Sequence, residues 1–294
     1  MARLRAAQVP SHTLAAELLM IGALGRDRTW LYTHAEETVE PAALENYFAL
    51  VARRAAGEPT QHLTGKQEFW GLEFEVTPAV LIPRPETEHV VEVVLERLGL
   101  RGIKIRMDTG APSPHLRVAD VGTGSGCLAV ALAYELPHVD VFATDVSKAA
   151  LEIARRNAGK HGVAERVHFV EANLLDAFQR GSRGANGEAA LFDVIVSNPP
   201  YVALQDAETL PREVREHEPH VALFGGRTGV EMYGRLIEQA RSLLRGRGIL
   251  AVELGYNCAD AVLKIVREQQ GWVNVSITND LAGIPRVLAA ERLR

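Results

Sequence analysis

The residues that could do chemistry fall into three short runs, and the first is a glycine-rich turn after an apolar segment. Asp120 and Val121 are followed by Gly122, Thr123, Gly124, Ser125 and Gly126. Glycines let the backbone turn tightly and approach a ligand, and the N–H groups that open the next helix favour a carboxylate or phosphate. The spacing is G-x-G-x-G, unlike dinucleotide sites, and no P-loop lysine follows. The run predicts a binding loop, although such a turn can also be purely structural.

The second candidate is Asp145, which ends the next apolar segment, nineteen residues after Gly126. A carboxylate at that position can accept hydrogen bonds from both hydroxyls of a ribose. The alternative is that Asp145 only caps the following helix, beside Ser147. The occurrence of the loop and the acid together in a strand–helix–strand frame favours the ribose role.

The third run is Ser197-Asn198-Pro199-Pro200-Tyr201, directly after another apolar segment. Asn198 offers a side-chain oxygen as acceptor, and the two prolines fix the direction of the Pro199 carbonyl. Two fixed acceptors orient an NH₂ group, and Tyr201 offers a π face for a flat group and a methyl cation. The alternative is a surface turn, because Asn-Pro and Pro-Pro are turn-forming pairs. The placement of the Asn198 run after a strand favours a pocket for a planar amine or amide.

These runs must be positioned by a sheet, and the chain from residue 116 onward alternates apolar strands with helical segments. The predicted strands are 118–121, 139–143, 167–170, 192–196 and 249–253. Such alternation predicts an α/β fold with a doubly wound, mostly parallel sheet. Since the carboxyl ends of parallel strands carry the active sites of these sheets, we expect the three runs at one edge.

Three domains are expected along the chain. Residues 1–66 show apolar positions at helical spacing and no chemical motif, which predicts a small bundle whose apolar stripes pack together. Residues 67–83 predict a β-hairpin linker with its turn at Gly71, and residues 84–294 contain the three runs. The polar stretches 101–115 and 180–190 are predicted loops, the second a mobile surface insertion.

Composition limits the classes of function. The chain has 294 residues and a net charge of -5, whereas proteins that grip long nucleic acids usually carry a basic excess. Stable nucleic-acid binding is therefore not expected. Cys127 and Cys258 form no CxxC pair, which argues against a zinc site or disulfide framework and fits a cytoplasmic location. No stretch approaches the ~20 apolar residues of a membrane span.

Three further features are weighed and given no catalytic role. The run Glu216-His217-Glu218-Pro219-His220 could suggest a metal site, but Pro219 disrupts any helical ligand face, so no metal is expected. Cys127, just inside the helix after the glycine loop, is interpreted as a small packed residue. Glu253 ends a strand near the expected pocket, and the sequence does not decide its role.

Together these runs resemble the PrmC/HemK family of release-factor glutamine methyltransferases over the whole chain. Asn-Pro-Pro-Tyr alone also occurs in amide and adenine amino methyltransferases. The run Ile82-Pro83-Arg84-Pro85-Glu86-Thr87-Glu88 is more selective and resembles the release-factor enzymes. Other matching segments are Gln61-His62-Leu63-Thr64-Gly65, Glu218-Pro219, Ala222-Leu223, Gly225-Gly226, Asp280-Leu281-Ala282-Gly283 and Arg286.

The resemblance implies a Rossmann-like S-adenosylmethionine-dependent methyltransferase domain behind a small N-terminal helical domain that recognises the substrate. It implies methyl transfer to the amide nitrogen (N5) of the glutamine in the GGQ motif of class-1 peptide chain release factors, in support of translation termination. The cofactor S-adenosyl-L-methionine, leaving as S-adenosyl-L-homocysteine, would contact Gly122, Thr123, Gly124, Ser125, Gly126, Asp145 and Asn198.

Further contacts follow from the same resemblance. Family members usually have an acid at the adenine, often in a Gly-Asp pair after the third strand, where this chain has Ala172-Asn173-Leu174. Asn173 can still accept a hydrogen bond from the adenine amino group, but without the charge that strengthens such a bond. Asn198, Pro199, Pro200 and Tyr201 would hold the glutamine, with Asn198, Pro199 and Tyr201 acting in catalysis.

Two other functions stay open from sequence. An adenine-N6 methyltransferase of DNA or RNA would need a flipped base and a basic groove, and the acidic net charge counts against it. A non-catalytic binding module that kept the fold is the second, and the intact Asn198 run and Asp145 count against it.

Overall fold

The computed structural model describes residues 1–99, 115–179 and 191–294. Residues 101–114 of the first predicted loop, and the whole predicted insertion 180–190, lie outside the described residues. Within the described ranges, no helix combines the length and apolar character that crossing a membrane requires.

Helices flank the strands in the described parts of the chain. Short 3₁₀ helices span Pro85–Thr87, Ala164–Arg166 and Leu204–Thr209. The α-helices are α1 (Ala2–Ala6), α2 (His12–Leu24), α3 (Arg28–Thr33), α4 (Pro41–Ala55), α5 (Thr60–Thr64), α6 (Glu88–Arg97), α7 (Cys127–Glu135), α8 (Lys148–Lys160), α9 (Asp176–Gln179), α10 (Arg212–His217), α11 (His220–Leu223), α12 (Glu231–Leu243) and α13 (Ala259–Glu268).

The strands form one large sheet and two small ones. They are β1 (Lys66–Phe69), β2 (Leu72–Glu75), β3 (Leu116–Val121), β4 (Val139–Asp145), β5 (Val167–Glu171), β6 (Phe192–Ser197), β7 (Val202–Ala203), β8 (Phe224–Gly226), β9 (Leu244–Glu253), β10 (Trp272–Asn279) and β11 (Pro285–Arg292). β1 and β2 pair as the predicted hairpin around Trp70 and Gly71, and β7 pairs with β8.

The large sheet has seven strands in the order β10-β11-β9-β6-β3-β4-β5. The five strands from β9 to β5 are mutually parallel, and the chain direction of strand addition reverses at β3. This confirms the predicted doubly wound sheet. The antiparallel strands β10 and β11 were not predicted, and β11 inserts between β9 and β10.

Two apolar cores cover the two faces of the sheet. Successive residues of a strand point to opposite faces, so Val118 joins one core and Ala119 the other. Val90 and Leu132 bring α6 and α7 against the first face, and Tyr233 brings α12 against the second. Because both faces are covered, the strand ends and their loops are the part of the sheet left accessible to ligands.

The N-terminal helices form their own small core, with Leu4, Leu19 and Val51 buried in it. The apolar stripes do not all pack together, however, because Leu14 is 46% exposed and Phe48 is 54% exposed. The expectation that the stripes simply bury one another is therefore wrong at these positions, where the helices turn apolar side chains toward solvent.

A partly buried ion pair joins the N-terminal helices to the sheet domain. The guanidinium of Arg54 on α4 donates from Nη2 to Glu213 Oε2 on α10 at 2.5 Å. The side chain of Arg54 is only 6% exposed, and that of Glu213 is 30% exposed. Removing one partner of such a pair leaves the other charge poorly compensated, so the contact favours one arrangement of the two parts.

Candidate active site

The three candidate runs meet at one edge of the large sheet. The pairing of β3 with its neighbours places Val121 opposite both Thr144 and Ser197. The glycine loop, Asp145 and Asn198 each follow directly after these residues. The hydroxyl of Ser197 also donates to the carbonyl of Val121 at 2.7 Å. The glycine loop and the Asn198 loop therefore start about 5 Å apart, the spacing of adjacent strands.

The glycine loop is folded back onto β4 by its own backbone. The N–H groups of Gly122 and Thr123 both donate to the carbonyl of Thr144 at 2.9 Å. Gly122 and Gly124 have φ values of 73° and 54°, which residues with a side chain rarely adopt. A Cβ added at either glycine would meet no atom within 4 Å. The loop thus presents bare backbone to open space at the start of α7.

A buried carboxyl group lies behind the glycine loop. Asp120 is 1% exposed and accepts from the Thr123 hydroxyl at 2.6 Å and from the Ala129 N–H at 3.1 Å. Burial raises the pKa of Asp120 to about 7. These bonds tie the loop to the first turns of α7. Sequence analysis assigned Asp120 no role, although an acid that ends a buried strand is a signal in itself.

Asp145 faces the glycine loop. Its Oδ2 accepts from the Gly124 N–H at 3.0 Å and its Oδ1 from the Ser147 N–H at 2.8 Å. The N-cap of α8 is Ser147, whose hydroxyl accepts from the Ala150 N–H at 3.2 Å. The carboxylate is half-buried and keeps lone pairs for further donors.

Asn173 and Leu174 lie beside Asp145, because the chain leaves β5 next to the end of β4. The N–H of Ala172 donates to the Asp145 carbonyl at 3.0 Å. Leu174 adopts a positive φ of 54° and is 7% exposed, so its side chain packs into the core. Asn173 is exposed.

The side chain of Asn198 is held by a hydrogen-bonded chain of two buried residues. Asn198 Nδ2 donates to Thr87 Oγ1 at 3.1 Å, and Thr87 Oγ1 donates to Glu253 Oε2 at 2.5 Å. Thr87 is 1% exposed and Glu253 is 2% exposed. This arrangement makes Oδ1 the free acceptor of the amide, and no residue in the described parts of the chain donates to it.

Three glycines pack against the loop that follows Asn198. A Cβ on Gly225 would lie 2.3 Å from the Pro200 carbonyl oxygen, and one on Gly229 would lie 2.3 Å from the Tyr201 carbonyl oxygen. A Cβ on Gly255 would lie 2.6 Å from the Tyr201 ring. Such distances leave no room for any side chain. The loop is thus rigid, with Pro199 buried and the Tyr201 ring packed against backbone.

The proline-containing run before α6 is hydrogen-bonded to Glu218, between α10 and α11. Arg84 Nη2 donates to Glu218 Oε1 at 2.5 Å, and the Ile82 N–H donates to Glu218 Oε2 at 3.3 Å. Both carboxylate oxygens of Glu218 are thus engaged by protein donors. Within the described ranges, no three histidine, cysteine or acidic residues come together as metal ligands.

Cys127 is packed at the start of α7. Burial raises the pKa of its thiol to about 12, so the thiol stays protonated near neutral pH. A protonated thiol is a poor nucleophile, which leaves this cysteine with a packing role.

Family models match both parts of the chain. Residues 1–65 match the PrmC N-terminal domain, and residues 107–214 match the methyltransferase small domain. A release factor glutamine methyltransferase from Koribacter versatilis is 43% identical over 98% of this chain and 94% of its own length. One from Moorella thermoacetica is 42% identical over 99% of this chain and 95% of its own length.

Solved structures show the same fold at low sequence identity. A methyltransferase from Pyrococcus furiosus has a TM-score of 0.52 at 18% identity, covering 85% of this chain and 100% of that one. A Thermus thermophilus 16S rRNA methyltransferase in complex with AdoMet and guanosine has a TM-score of 0.52 at 18% identity, covering 77% of this chain and 49% of that one. These likenesses show a methyltransferase fold. By its full-length relatives, the chain belongs to the release factor glutamine methyltransferase family.

Proposed function

We propose that this enzyme transfers a methyl group from S-adenosylmethionine to the side-chain amide nitrogen (N5) of a glutamine in a peptide chain release factor. The target would be the glutamine of the GGQ motif in class-1 factors, and the reaction would support translation termination in the cytoplasm. Relatives named release factor glutamine methyltransferase match nearly the whole chain. The observation that carries the proposal is the Asn198 amide, fixed in a rigid loop beside the glycine loop.

The glycine loop and its neighbours fit the cofactor. Bare backbone at Gly122 and Gly124 leaves space for the amino acid part of the cofactor at the start of α7. The carboxylate of Asp145 would accept the ribose hydroxyls. The full proposed set is Gly122, Thr123, Gly124, Ser125, Gly126, Asp145, Asn173, Leu174 and Asn198. The cofactor would supply a methyl group activated by a positively charged sulfur and would leave as S-adenosyl-L-homocysteine, while the glutamine nitrogen would release one of its protons to water.

The Asn198 loop would hold the substrate amide. A glutamine nitrogen is a weak nucleophile because its lone pair is delocalised into the carbonyl. Asn198 Oδ1 and the Pro199 carbonyl would each accept one N–H of that nitrogen and so aim it. Both acceptors carry partial negative charge, which favours the positive charge that develops on the nitrogen. Orientation of this kind supplies much of the acceleration, since it needs no rearrangement during reaction.

Tyr201 and Pro200 would complete the pocket. The Tyr201 ring packs beside Gly255 and presents an aromatic face to the flat amide. Burial raises the pKa of Tyr201. Tyr201 thus stays a neutral phenol and acts as a surface rather than a base.

The N-terminal helices, residues 1–66, would recognise the release factor. Their exposed apolar side chains suit contact with a protein surface, as large exposed apolar residues often mark interaction sites. The partly buried ion pair of Arg54 and Glu213 would hold this recognition surface in a fixed position relative to the sheet domain that carries the Asn198 loop.

Mass spectrometry of a purified class-1 release factor tests the proposal. Incubation with the enzyme and S-adenosylmethionine should add one methyl group to the peptide that contains the GGQ glutamine. Asn198→Ala provides the matched control. Labelled cofactor offered with RNA and DNA in parallel should leave the nucleic acids unlabelled. Transfer of label to adenine instead of the release factor would refute the proposal.

A further inference from the structure

We propose that Thr87 and Glu253 are positioning residues that fix the side-chain amide of Asn198 in the one orientation that can accept a substrate N–H. The inference rests on the proposed role of Asn198. It assigns a function to two buried residues, neither of which lies in the glycine loop or in the Asn198 loop.

The Thr87 hydroxyl is committed to the site. Thr87 ends the 3₁₀ helix Pro85–Thr87, which leads directly into α6, and its side chain makes no hydrogen bond that caps the helix. Its oxygen accepts from Asn198 and its proton goes to Glu253. The hydroxyl therefore serves the Asn198 side chain and not the start of the helix.

The direction of this hydrogen-bonded chain follows from the groups at its end. The Thr87 hydroxyl donates to Glu253 Oε2, which can accept this bond whether the carboxyl group is ionised or carries its proton on Oε1. The Thr87 oxygen can then only accept from Asn198, which turns Nδ2 toward Thr87 and Oδ1 away from it. Without this chain the amide can rotate by half a turn. It would then present its own NH₂ to the substrate NH₂, and two donors would face each other.

The strand order brings the chain together. β6 and β9 are neighbours, and Ser197 pairs with Val252. Asn198 and Glu253 are the residues that follow this pair, so they emerge side by side at the sheet edge. Thr87 reaches them from the start of α6, which packs across β9. The polar chain therefore spans three segments that are distant in sequence.

The burial of the Glu253 carboxyl group is energetically unfavourable, which argues that this group has a function. A carboxyl group that is 2% exposed is costly to bury, and burial raises its pKa to about 7. The Tyr233 hydroxyl fixes the backbone by donating to the Glu253 carbonyl at 2.8 Å. A purely structural position at the end of a buried strand would be filled more favourably by an apolar residue.

The test compares Thr87→Val with Thr87→Ser in full-length enzyme. Valine keeps the size and branching of threonine but has no hydroxyl, whereas serine keeps the hydroxyl. We expect Thr87→Val to lower kcat by about tenfold, the effect of one lost hydrogen bond in a polar network. The KM for release factor and the Kd for S-adenosylmethionine should stay within about twofold, because the amide acts mainly in the transition state. Thr87→Ser should restore kcat to within about threefold of wild type.

The same substitution in an Asn198→Ala background separates this inference from the proposed function. There the amide is absent, so Thr87→Val should change the residual rate by less than about twofold. If Asn198→Ala is nearly inactive but Thr87→Val matches wild type, the positioning role is overturned and the proposed function stands. If Asn198→Ala itself matches wild type, the proposed function falls.

Two other outcomes also decide the matter. A serine variant as slow as the valine variant would show that the hydroxyl is not the cause, and would overturn the inference. Should Thr87→Val not fold, Glu253→Leu is measured instead, because leucine is similar in size and suits a buried position but offers no acceptor to the Thr87 hydroxyl. Its kcat should fall at least threefold with unchanged cofactor affinity, and an unchanged kcat would overturn the role of the chain.

Discussion

The glycine loop and the Asn198 loop are each supported by a hydrogen bond between a threonine and a buried carboxyl group. The two loops differ in how far apart these partners lie in sequence. Behind each loop lies a carboxyl group that is almost fully buried, Asp120 and Glu253 respectively, and each accepts a threonine hydroxyl. Behind the glycine loop the threonine is Thr123, three residues from Asp120. Behind the Asn198 loop it is Thr87, 166 residues from Glu253.

The difference separates a local part of the site from an assembled one. The glycine loop, its carboxyl and its threonine belong to one strand–loop–helix unit and can form with that unit. The amide pocket exists only when the start of α6, β6 and β9 are all in place. We therefore expect the cofactor side to tolerate damage elsewhere in the fold better than the amide side does.

The largest expected effect is at the amide side. Asn198→Ala removes an acceptor that matters most in the transition state, so kcat should fall at least about 10²-fold. Cofactor affinity and thermal stability should change little. Single-turnover assays with release factor measure the loss of rate, and calorimetry measures the affinity for the cofactor. Methylation within a few-fold of wild type would contradict the role assigned to this loop.

The two buried carboxyls predict how stability depends on pH. Burial raises each pKa from about 4 to about 7, so the folded state holds a proton that the unfolded chain releases. The stability each contributes is complete below pH 4 and is lost as the pH rises to about 7. Between pH 4.5 and 8 the loss should reach up to about 3 kcal/mol per group, at 1.36 kcal/mol per pKa unit.

Urea unfolding at several pH values measures this loss. Glu253→Gln and Asp120→Asn should each flatten the fall of unfolding free energy with pH. Glu45→Gln, on the exposed face of α4, controls for the loss of one carboxyl. Equal slopes for Glu253→Gln and wild type would show that the carboxyl behind the amide pocket is not protonated near pH 7.

The next effect is on the cofactor side. Asp145→Ala removes a charged acceptor, which should weaken binding of S-adenosylmethionine by about 1.5–3 kcal/mol. Asp145→Asn keeps one acceptor oxygen and should lie between alanine and wild type. Calorimetry gives the Kd, and kcat at saturating cofactor should be nearly preserved. Unchanged affinity in the alanine variant would remove Asp145 from the site.

The smallest effect is expected at the N-terminal helices. Phe48→Asp places a charge on an exposed apolar side chain without disturbing a core. We expect kcat/KM for release factor to fall by about fivefold to tenfold, typical of a contact worth roughly 1 kcal/mol. Cofactor affinity should be unchanged. An unaltered kcat/KM would place the recognition surface elsewhere.

The contrast between parts built from one segment and parts assembled from distant segments also explains which features the sequence could predict. The parallel strands were predicted because each is a short, mostly apolar run beside a turn signal. β10 is an edge strand in which apolar residues alternate with Asn274, Ser276 and Thr278, so it has no mostly apolar run of that kind. β9 begins five residues before its predicted start. The prediction began too late because the exposed Arg245 and Arg247 interrupt the apolar pattern of the strand.

In the site, residues inside one motif were predicted as candidates and residues acting across motifs were not. Gly122 to Gly126, Asp145 and the Asn198 run were singled out from spacing. Thr87 was noticed only as part of a family-like run, and Glu253 was left undecided. Their hydrogen bond joins segments 166 residues apart, and such a pairing has no signature in spacing.

The three glycines that pack on the Asn198 loop carry a consequence for inherited variation. Each is excluded from mutation by steric contact, since even alanine would overlap backbone or ring atoms. None of them bears a functional group, yet a genetic screen for loss of activity should recover Gly225, Gly229 and Gly255 as readily as Asn198. We therefore expect selection to act on Gly225, Gly229 and Gly255, although their contribution to the site is the absence of a side chain.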